Sequence, residues 1–198
     1  MKGYKYQLII AVIWCIILVT GCSSKSPAVK NSEKNVTKVI AVLPVDNKSP
    51  DSKAPQLMRV KILDELYFKG YTKLPLELID KKLELMYNSE KKNEADIIAP
   101  HVIKELVGAD AAMYCTITES NRKASFIYAP VTVAAHCELR STQTGEVLWN
   151  AQYKATSRNF DLSGKRLEMK SYEAFETLIE EVVNKVLQTL PAGPNFSG

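Results

Sequence analysis

The chain has 198 residues, of which 46% are hydrophobic and 24% are charged, a composition typical of globular proteins. This composition excludes collagen-like, low-complexity and wholly disordered chains, and a net charge of +4 is too small to indicate a nucleic-acid partner. Four cysteines are too few for a disulfide-stabilised scaffold.

Residues 1–21 have the pattern of a secretory signal peptide. Lys2 and Lys5 precede an uninterrupted apolar run over residues 8–19, and small residues follow it. The run is shorter than the roughly 20 apolar residues that a helix needs to cross a bilayer. A basic start, a short apolar stretch and a small-residue exit are typical of a cleaved signal peptide.

The segment Val19-Thr20-Gly21-Cys22 resembles the lipobox of bacterial lipoproteins. The resemblance implies cleavage between Gly21 and Cys22, and a diacylglycerol and an N-acyl chain such as palmitate on Cys22. We expect no other cofactor. Two acyl chains anchor a protein stably to a membrane, whereas one does not. In the lipoproteins that this segment resembles, an aspartate after the cysteine favours retention in the inner membrane. With Ser23 at that position, the resemblance implies the outer membrane, with the domain facing the periplasm. A plain signal peptide with an incidental cysteine and an uncleaved signal anchor are the alternatives.

The remainder of the chain is predicted to be a tether followed by one domain. After the lipidated Cys22, residues 23–36 are polar and lack apolar periodicity, which indicates a flexible segment. For about 14 flexible residues the root-mean-square reach is roughly 20 Å. Residues 37–198 are predicted to form a single domain held near the membrane.

The first half of this domain is predicted to contain two strands and three helices. The apolar, β-branched run at 38–45 is typical of a central strand buried on both faces, and a turn follows at 46–53. The further predictions are a helix from Pro55 to Gly70, a strand at 71–74, helices at 76–87 and 100–107, and a charged connection at 88–96.

The first of these helices carries more apolar residues than one face accounts for. Val60, Leu63, Leu66 and Tyr67 share one side, whereas the remaining pair, Leu57 and Phe68, falls on the other. This pair is either a surface for a protein partner or buried under the helix at 76–87.

The second half is predicted to contain three strands and a final helix. Strands at 111–118 and 131–139 precede a turn at Thr144-Gly145, and residues 146–155 return as the partner of a hairpin. In the strand at 131–139 the odd-numbered residues face the core. Residues 171–190 form an amphipathic helix with Ser171 as N-cap and Pro191 as stop, and its apolar stripe packs on the sheet or forms an oligomer seam.

This order of elements predicts an α/β (α+β) domain with a mixed sheet of about five strands and helices packed on it. The segments at 39–51, 108–119 and 132–151 and the final helix resemble a family of bacterial lipoproteins of unknown function. The resemblance implies a fold like the N-terminal domain of TolB and no catalytic residues. Related folds occur in the secretion lipoprotein CsgG and in LpoB, the lipoprotein activator of a peptidoglycan synthase.

Candidate catalytic and metal-binding residues are few. His101 and His136 stand outside any recognisable cluster, and no nucleophile elbow, phosphate loop or paired-histidine zinc motif is present. Cys115 and Cys137 are expected on the core faces of neighbouring strands, either as a disulfide or as two buried inert thiols. We favour the thiols, because directly opposed strand residues often give a strained bridge. A metal site with His136 is less favoured still, because His136 points to the other face.

These features favour a lipid-anchored, non-enzymatic interaction or assembly module of a secretion or surface-structure complex. Its expected contacts are the membrane and an envelope protein, and self-association into a homo-oligomer is an open alternative. Regulation of a peptidoglycan-synthesising enzyme, as by LpoB, is the second hypothesis, although the tether is short for that role. An envelope hydrolase is the third, and the missing pairing of base and nucleophile counts against it.

Overall fold

A computed structural model describes residues 37–90, 98–122 and 125–196, which belong to one compact unit, Val36–Gly198. The signal peptide, the cleavage site at Gly21, the lipidated Cys22 and the tether lie outside the described residues. The strands are β1 (Ile40–Val42), β2 (Asp46–Asn47), β3 (Ala111–Arg122), β4 (Tyr128–Ser141) and β5 (Val147–Phe160). The helices are α1 (Ala54–Phe68), α2 (Leu76–Glu90), α3 (Pro100–Val107) and α4 (Gly164–Leu187).

The five strands form one mixed sheet in the order β1-β3-β4-β5, with β2 also paired to β3. β1 and β2 run parallel to β3, whereas β3, β4 and β5 form an antiparallel meander. α1 and α4 pack together on one face of the sheet. α2 contacts β1, and α3 contacts β3. The predicted α+β domain with a mixed sheet of about five strands is therefore confirmed.

The hairpin of β4 and β5 forms as the alternation of its residues predicts. Val131, Val133 and Leu139 are buried in the core, as are the two residues that continue this row, Ala135 and Cys137. Gly145 adopts a positive φ of 76° in the turn, a conformation that costs glycine little. β4 extends beyond the predicted bounds at both ends, and β5 extends beyond them at its C-terminal end.

The first strand is shorter and less central than its apolar run predicts. β1 ends at Val42 and, among the described strands, pairs with β3 alone. On its other side there is an isolated bridge between Val39 and Thr72. That bridge is all that forms of the predicted strand at 71–74. Helices that pack on β1 bury its apolar side chains. Because packed helices bury such residues as well as neighbouring strands do, the apolar run does not require a central position in the sheet. Part of the predicted turn at 46–53 pairs with β3 as β2.

The helices follow the predicted order, but two of them differ in detail. In α1 the buried stripe contains Met58, Ile62 and Leu66, spaced by four, so the predicted apolar side is divided: Val60 and Tyr67 are exposed, whereas Leu63 is buried with Leu66. α4 begins at Gly164, and Ser171 lies buried inside the helix rather than at its N-cap. The apolar stripe of α4 packs against β4 and β5, so it covers the sheet, the first of the two predicted roles.

The other two helices, α2 and α3, agree more closely with the pattern. α3 ends at Gly108, which adopts a left-handed φ of 69° and whose N–H donates to the Lys104 carbonyl. α2 extends three residues past the predicted 76–87. Across the residues that the structure describes, no helix is long and apolar enough to span a membrane.

Candidate functional site

A cleft of about 780 Å³ opens between α2 and the face of the sheet opposite to α1 and α4. Its polar wall comes from alternate residues of two paired strands, Tyr114 and Thr116 of β3 and a row of three on β4. Because side chains alternate across a strand, the residues between them face the core. The row on β4 consists of His136, Glu138 and Arg140.

The opposite wall is mainly apolar. It combines the chain between β1 and β2, the start of β2, one side of α2 and Ile98, two residues before α3. Its apolar members are Leu43, Pro44, Val45, Leu83, Tyr87 and Ile98, and its acidic members are Asp46, Asp80 and Glu84. The cleft therefore pairs an apolar side with a polar side, and carboxylates predominate among its charges.

Glu138 is the centre of the polar row. Its Oε2 accepts hydrogen bonds from Arg140 Nε at 2.9 Å and Nη2 at 2.6 Å, and its Oε1 lies 3.2 Å from His136 Nε2. The hydrogen bonds from Arg140, and then that from His136, hold the pKa of the Glu138 carboxyl below its ordinary value. Glu138 is thus an ionised carboxylate at neutral pH, held by its neighbours on the same strand.

Tyr114 closes one end of the cleft. Its hydroxyl donates to the Ile98 carbonyl at 2.6 Å, and burial raises its pKa to about 12. The Arg140 guanidinium lies 5.8 Å from the centre of the Tyr114 ring, within range of a cation–π contact. At neutral pH Tyr114 therefore acts as a hydrogen-bond donor that fixes residue 98 to the sheet.

Arg59 of α1 joins β1 to Asp80 of α2, a residue that lines the cleft. It is 3% exposed, and its Nε and Nη2 donate to the Val42 carbonyl at 3.1 and 3.0 Å. Its Nη1 lies 2.7 Å from an Asp80 carboxylate oxygen on α2. Arg59 is not among the residues predicted from the sequence. Its spacing of four from Leu63 places it on the buried face and is the signal that identifies it.

Cys115 and Cys137 are joined in a disulfide with an S–S distance of 2.01 Å. They are direct partners in the register of β3 and β4, so the two sulfurs meet without a shift of either strand. The prediction that these residues are two buried, inert thiols is therefore wrong, and the disulfide is the correct alternative. His136 lies on the other face, in the cleft and bonded to Glu138, so it does not join the sulfurs in a metal site.

The remaining candidate residues lie apart from one another. His101 is exposed in the first turn of α3, outside the lining of the cleft. Leu57 is half-buried against the core, whereas Phe68 is 70% exposed with its ring edge-on to Tyr67. The proposed pair on the first helix is therefore divided, and Phe68 is its exposed member.

Comparison with known proteins identifies relatives among lipoproteins. The family model described as "Putative lipoprotein GNA1162-like" matches residues 28–193. The protein "Putative lipoprotein NMB1124/NMB1162" of Neisseria meningitidis is 26% identical over 155 residues. The match covers 76% of this chain and 66% of that protein, so the chain spans slightly less than two thirds of its length.

Two solved structures share the fold. Lipoprotein GNA1162 from Neisseria meningitidis superposes with a TM-score of 0.55 at 22% identity, over 71% of this chain and 96% of that one. The PelC dodecamer from Paraburkholderia phytofirmans gives a TM-score of 0.52 at 15% identity, over 79% of this chain and 90% of that one. At these identities the likeness concerns the fold alone.

Proposed function

The chain belongs to the GNA1162-like family of lipoproteins, and from that premise we propose that it is a lipid-anchored, non-enzymatic envelope protein that binds a protein partner in its cleft. Its domain faces the periplasm from the outer membrane, and the partner belongs to a secretion or surface-structure complex. The observation that carries this proposal is the lining of the cleft, in which an apolar wall that also carries carboxylates faces a polar wall.

The charges of the cleft define the partner's chemistry. Asp80 and Glu138 are neutralised by Arg59 and Arg140, respectively. Asp46 and Glu84 are exposed, and within the described part of the chain neither forms an ion pair. An occupant that complements these two carboxylates is basic, and one that covers the apolar wall carries apolar side chains. The proposed ligand is therefore a basic, amphipathic segment of another protein.

The state of two titratable groups of the cleft, Tyr114 and Glu138, supports binding rather than catalysis. A general base needs a free acceptor whose pKa lies near the working pH. Tyr114 is a protonated donor at neutral pH, because burial raises its pKa to about 12. Glu138 has a pKa below its ordinary value and is held by Arg140 and His136. These side chains shape a surface with fixed donors and charges.

Photo-crosslinking in intact cells tests the cleft. With p-benzoylphenylalanine in place of Thr116, which lines the cleft, we expect a crosslink to an envelope protein through a segment rich in Lys, Arg and apolar residues. Combining it with Asp46→Lys and Glu84→Lys should lower the crosslink yield about tenfold, because two favourable charge contacts become repulsive. Mass spectrometry of the crosslinked peptides identifies the partner segment.

The matched control reverses two carboxylates far from the cleft, Glu173→Lys and Glu176→Lys on the exposed side of α4. It should leave the crosslink from position 116 unchanged. Equal yields from the cleft and control variants, or a crosslinked segment without basic residues, contradict the proposal. A peptidoglycan-synthesising enzyme as the partner supports the second hypothesis, regulation of that enzyme.

A second copy of the chain is an alternative partner. In the structure β5 pairs with β4 alone among the described strands, so one backbone edge of β5 is open to strand addition. PelC, which shares the fold, is described as a dodecamer. A crosslinked product at multiples of the chain's own mass, with peptides of β5 in it, favours this assembly over a heterologous partner.

The lipid anchor is tested by metabolic labelling with an alkynyl fatty acid. The mature protein should begin at Cys22 and incorporate the label, and Cys22→Ser should abolish the label, because only the thiol forms the thioether. Cys15→Ser is the matched control, since Cys15 lies inside the predicted signal peptide, and it should retain full labelling. Label on the Cys22→Ser protein, or a different N-terminal residue in the wild type, contradicts the anchor.

A further inference from the structure

Four large apolar side chains are exposed together at one end of the sheet. Phe126 and Ile127 immediately precede β4, and Phe160 and Leu162 lie at and just beyond the end of β5. We call these four residues the apolar tip. The Asp161 N–H donates to the Ile127 carbonyl at 3.2 Å, which holds the two segments side by side.

The tip is unusual in how fully its side chains meet solvent. Phe126 and Leu162 are each 89% exposed, and Phe160 rests on the ring of Tyr128 with ring centres 4.7 Å apart. Single exposed apolar residues are common on proteins, whereas a contiguous group marks a surface that contacts a partner or a membrane. None of the four residues lines the cleft, so the proposed partner does not cover them.

The chain around the tip is basic. The segment 158–170 spans the end of β5, the turn and the start of α4. It contains four cations, Arg158, Lys165, Arg166 and Lys170, against two anions, Asp161 and Glu168. The Asp161 carboxylate forms ion pairs within this segment, 2.8 Å from Lys170 Nζ and 3.7 Å from Arg166 Nε. Apolar side chains flanked by excess positive charge fit a bilayer with anionic headgroups.

We propose that the apolar tip inserts into the headgroup region of the membrane that holds the lipid anchor, with anionic phospholipids around its basic flank. This inference rests on the proposed function, since the anchor keeps the domain at the bilayer. The tip gives the anchored domain a second contact and therefore a fixed orientation, with the far end of the sheet pointing away from the membrane.

The length of chain between the anchor and the domain permits this orientation. The domain's first described residues are at the opposite end of the sheet, where the N–H groups of Lys38 and Val39 donate to the Asp110 carboxylate. From there to the tip, β4 extends about 43 Å at the usual rise per strand residue. The 15 residue steps from Cys22 to Thr37 span at most about 50 Å.

Tryptophan fluorescence in vesicles tests the proposal. The mature protein has one tryptophan, Trp149, since Trp14 lies in the predicted signal peptide. Trp149 is near the start of β5, about 36 Å along the strand from the tip, and serves as the internal control. Lipidated wild type and Leu162→Trp are reconstituted into vesicles of phosphatidylcholine and phosphatidylglycerol, with and without brominated acyl chains.

We expect the tryptophan at position 162 to emit at shorter wavelength and to lose about half of its fluorescence to the brominated lipid, as a side chain at the headgroup boundary does. Emission from Trp149 should not change. Vesicles of phosphatidylcholine alone should quench the residue at 162 less, because the basic flank then has no anionic partner. Position 162 is almost fully exposed, so the substitution leaves the core intact.

The outcomes separate the anchor from the tip. Protein that floats with the vesicles but shows no quenching at 162 retains its anchor and contradicts the tip. Equal quenching of both tryptophans shows a domain lying flat and also contradicts it. A blue shift without quenching, together with a dimer in sedimentation, shows that a second copy covers the tip. Protein that does not float contradicts the anchor and the inference together.

Discussion

Replacing Arg59 by leucine is expected to lower the free energy of unfolding by about 3 kcal/mol. The side chain is 3% exposed and donates twice to the Val42 carbonyl and once to Asp80. Leucine fills part of the space but leaves the buried carbonyl without these donors. Asp80 is half exposed, so water replaces its lost partner at small cost. Urea unfolding of the mature protein measures the change.

Lys61→Leu is the matched control on the same helix. Lys61 pairs with Glu180 at 2.8 Å, but both side chains are exposed, so its loss should change the stability by at most about 1 kcal/mol. Equal stabilities of the two variants show that the buried arginine contributes no more than a surface ion pair. Arg59→Leu should also reduce the crosslink from position 116, because the α2 wall of the cleft loses its tie to β1.

Patterns that involve one element at a time were enough to predict most of the fold. The alternation along β4 reports its buried face correctly, because one face packs on α4 and the other does not. Glycine marks the end of α3 and the β4–β5 turn because a positive φ is needed there. These signals depend on backbone geometry and on a single apolar face, so they are readable in a single sequence.

Features that depend on contacts between elements were predicted less well. The run at 38–45 shows burial on both faces, but a sequence does not reveal whether strands or helices provide it, and here helices do. Two apolar stripes compete on α1, and the stripe through Met58 prevails because the sheet and α4 contact that side. Ser171 is a good N-cap residue in isolation, yet α4 begins seven residues earlier.

The cleft also depends on contacts between elements, so the sequence predicts it poorly. His136 alone suggests no site, but Glu138 and Arg140 follow it at spacings of two, and period-two counting places all three on one face. The opposite wall is contributed by residues 43–47 and 80–87, and no local pattern shows that these meet the β4 face. The pairing of Cys115 with Cys137 likewise depends on the register between two strands.

The disulfide provides the second large effect. Replacing both cysteines, Cys115→Ala with Cys137→Ala, is expected to lower the free energy of unfolding by about 3 kcal/mol, because the 22-residue separation is no longer closed in the unfolded chain. Both residues are buried on the core face, so two small cavities add to the loss. Urea unfolding of the mature protein under oxidising conditions measures it.

Reduction distinguishes the contribution of the disulfide bond to stability from the contribution of the packed sulfur atoms. Wild type in dithiothreitol keeps both sulfur atoms in the core and should lose most of the same stability, whereas the double alanine variant should not respond to dithiothreitol. Alkylation of the unfolded, unreduced wild type should modify neither cysteine. If both cysteines of the unreduced wild type are alkylated, and if the reductant does not change its stability, the disulfide is contradicted. Because Thr116 and His136 adjoin the bridged residues, its loss should also weaken the crosslink from position 116, which links the stability of the core to the binding surface on the other face of the sheet.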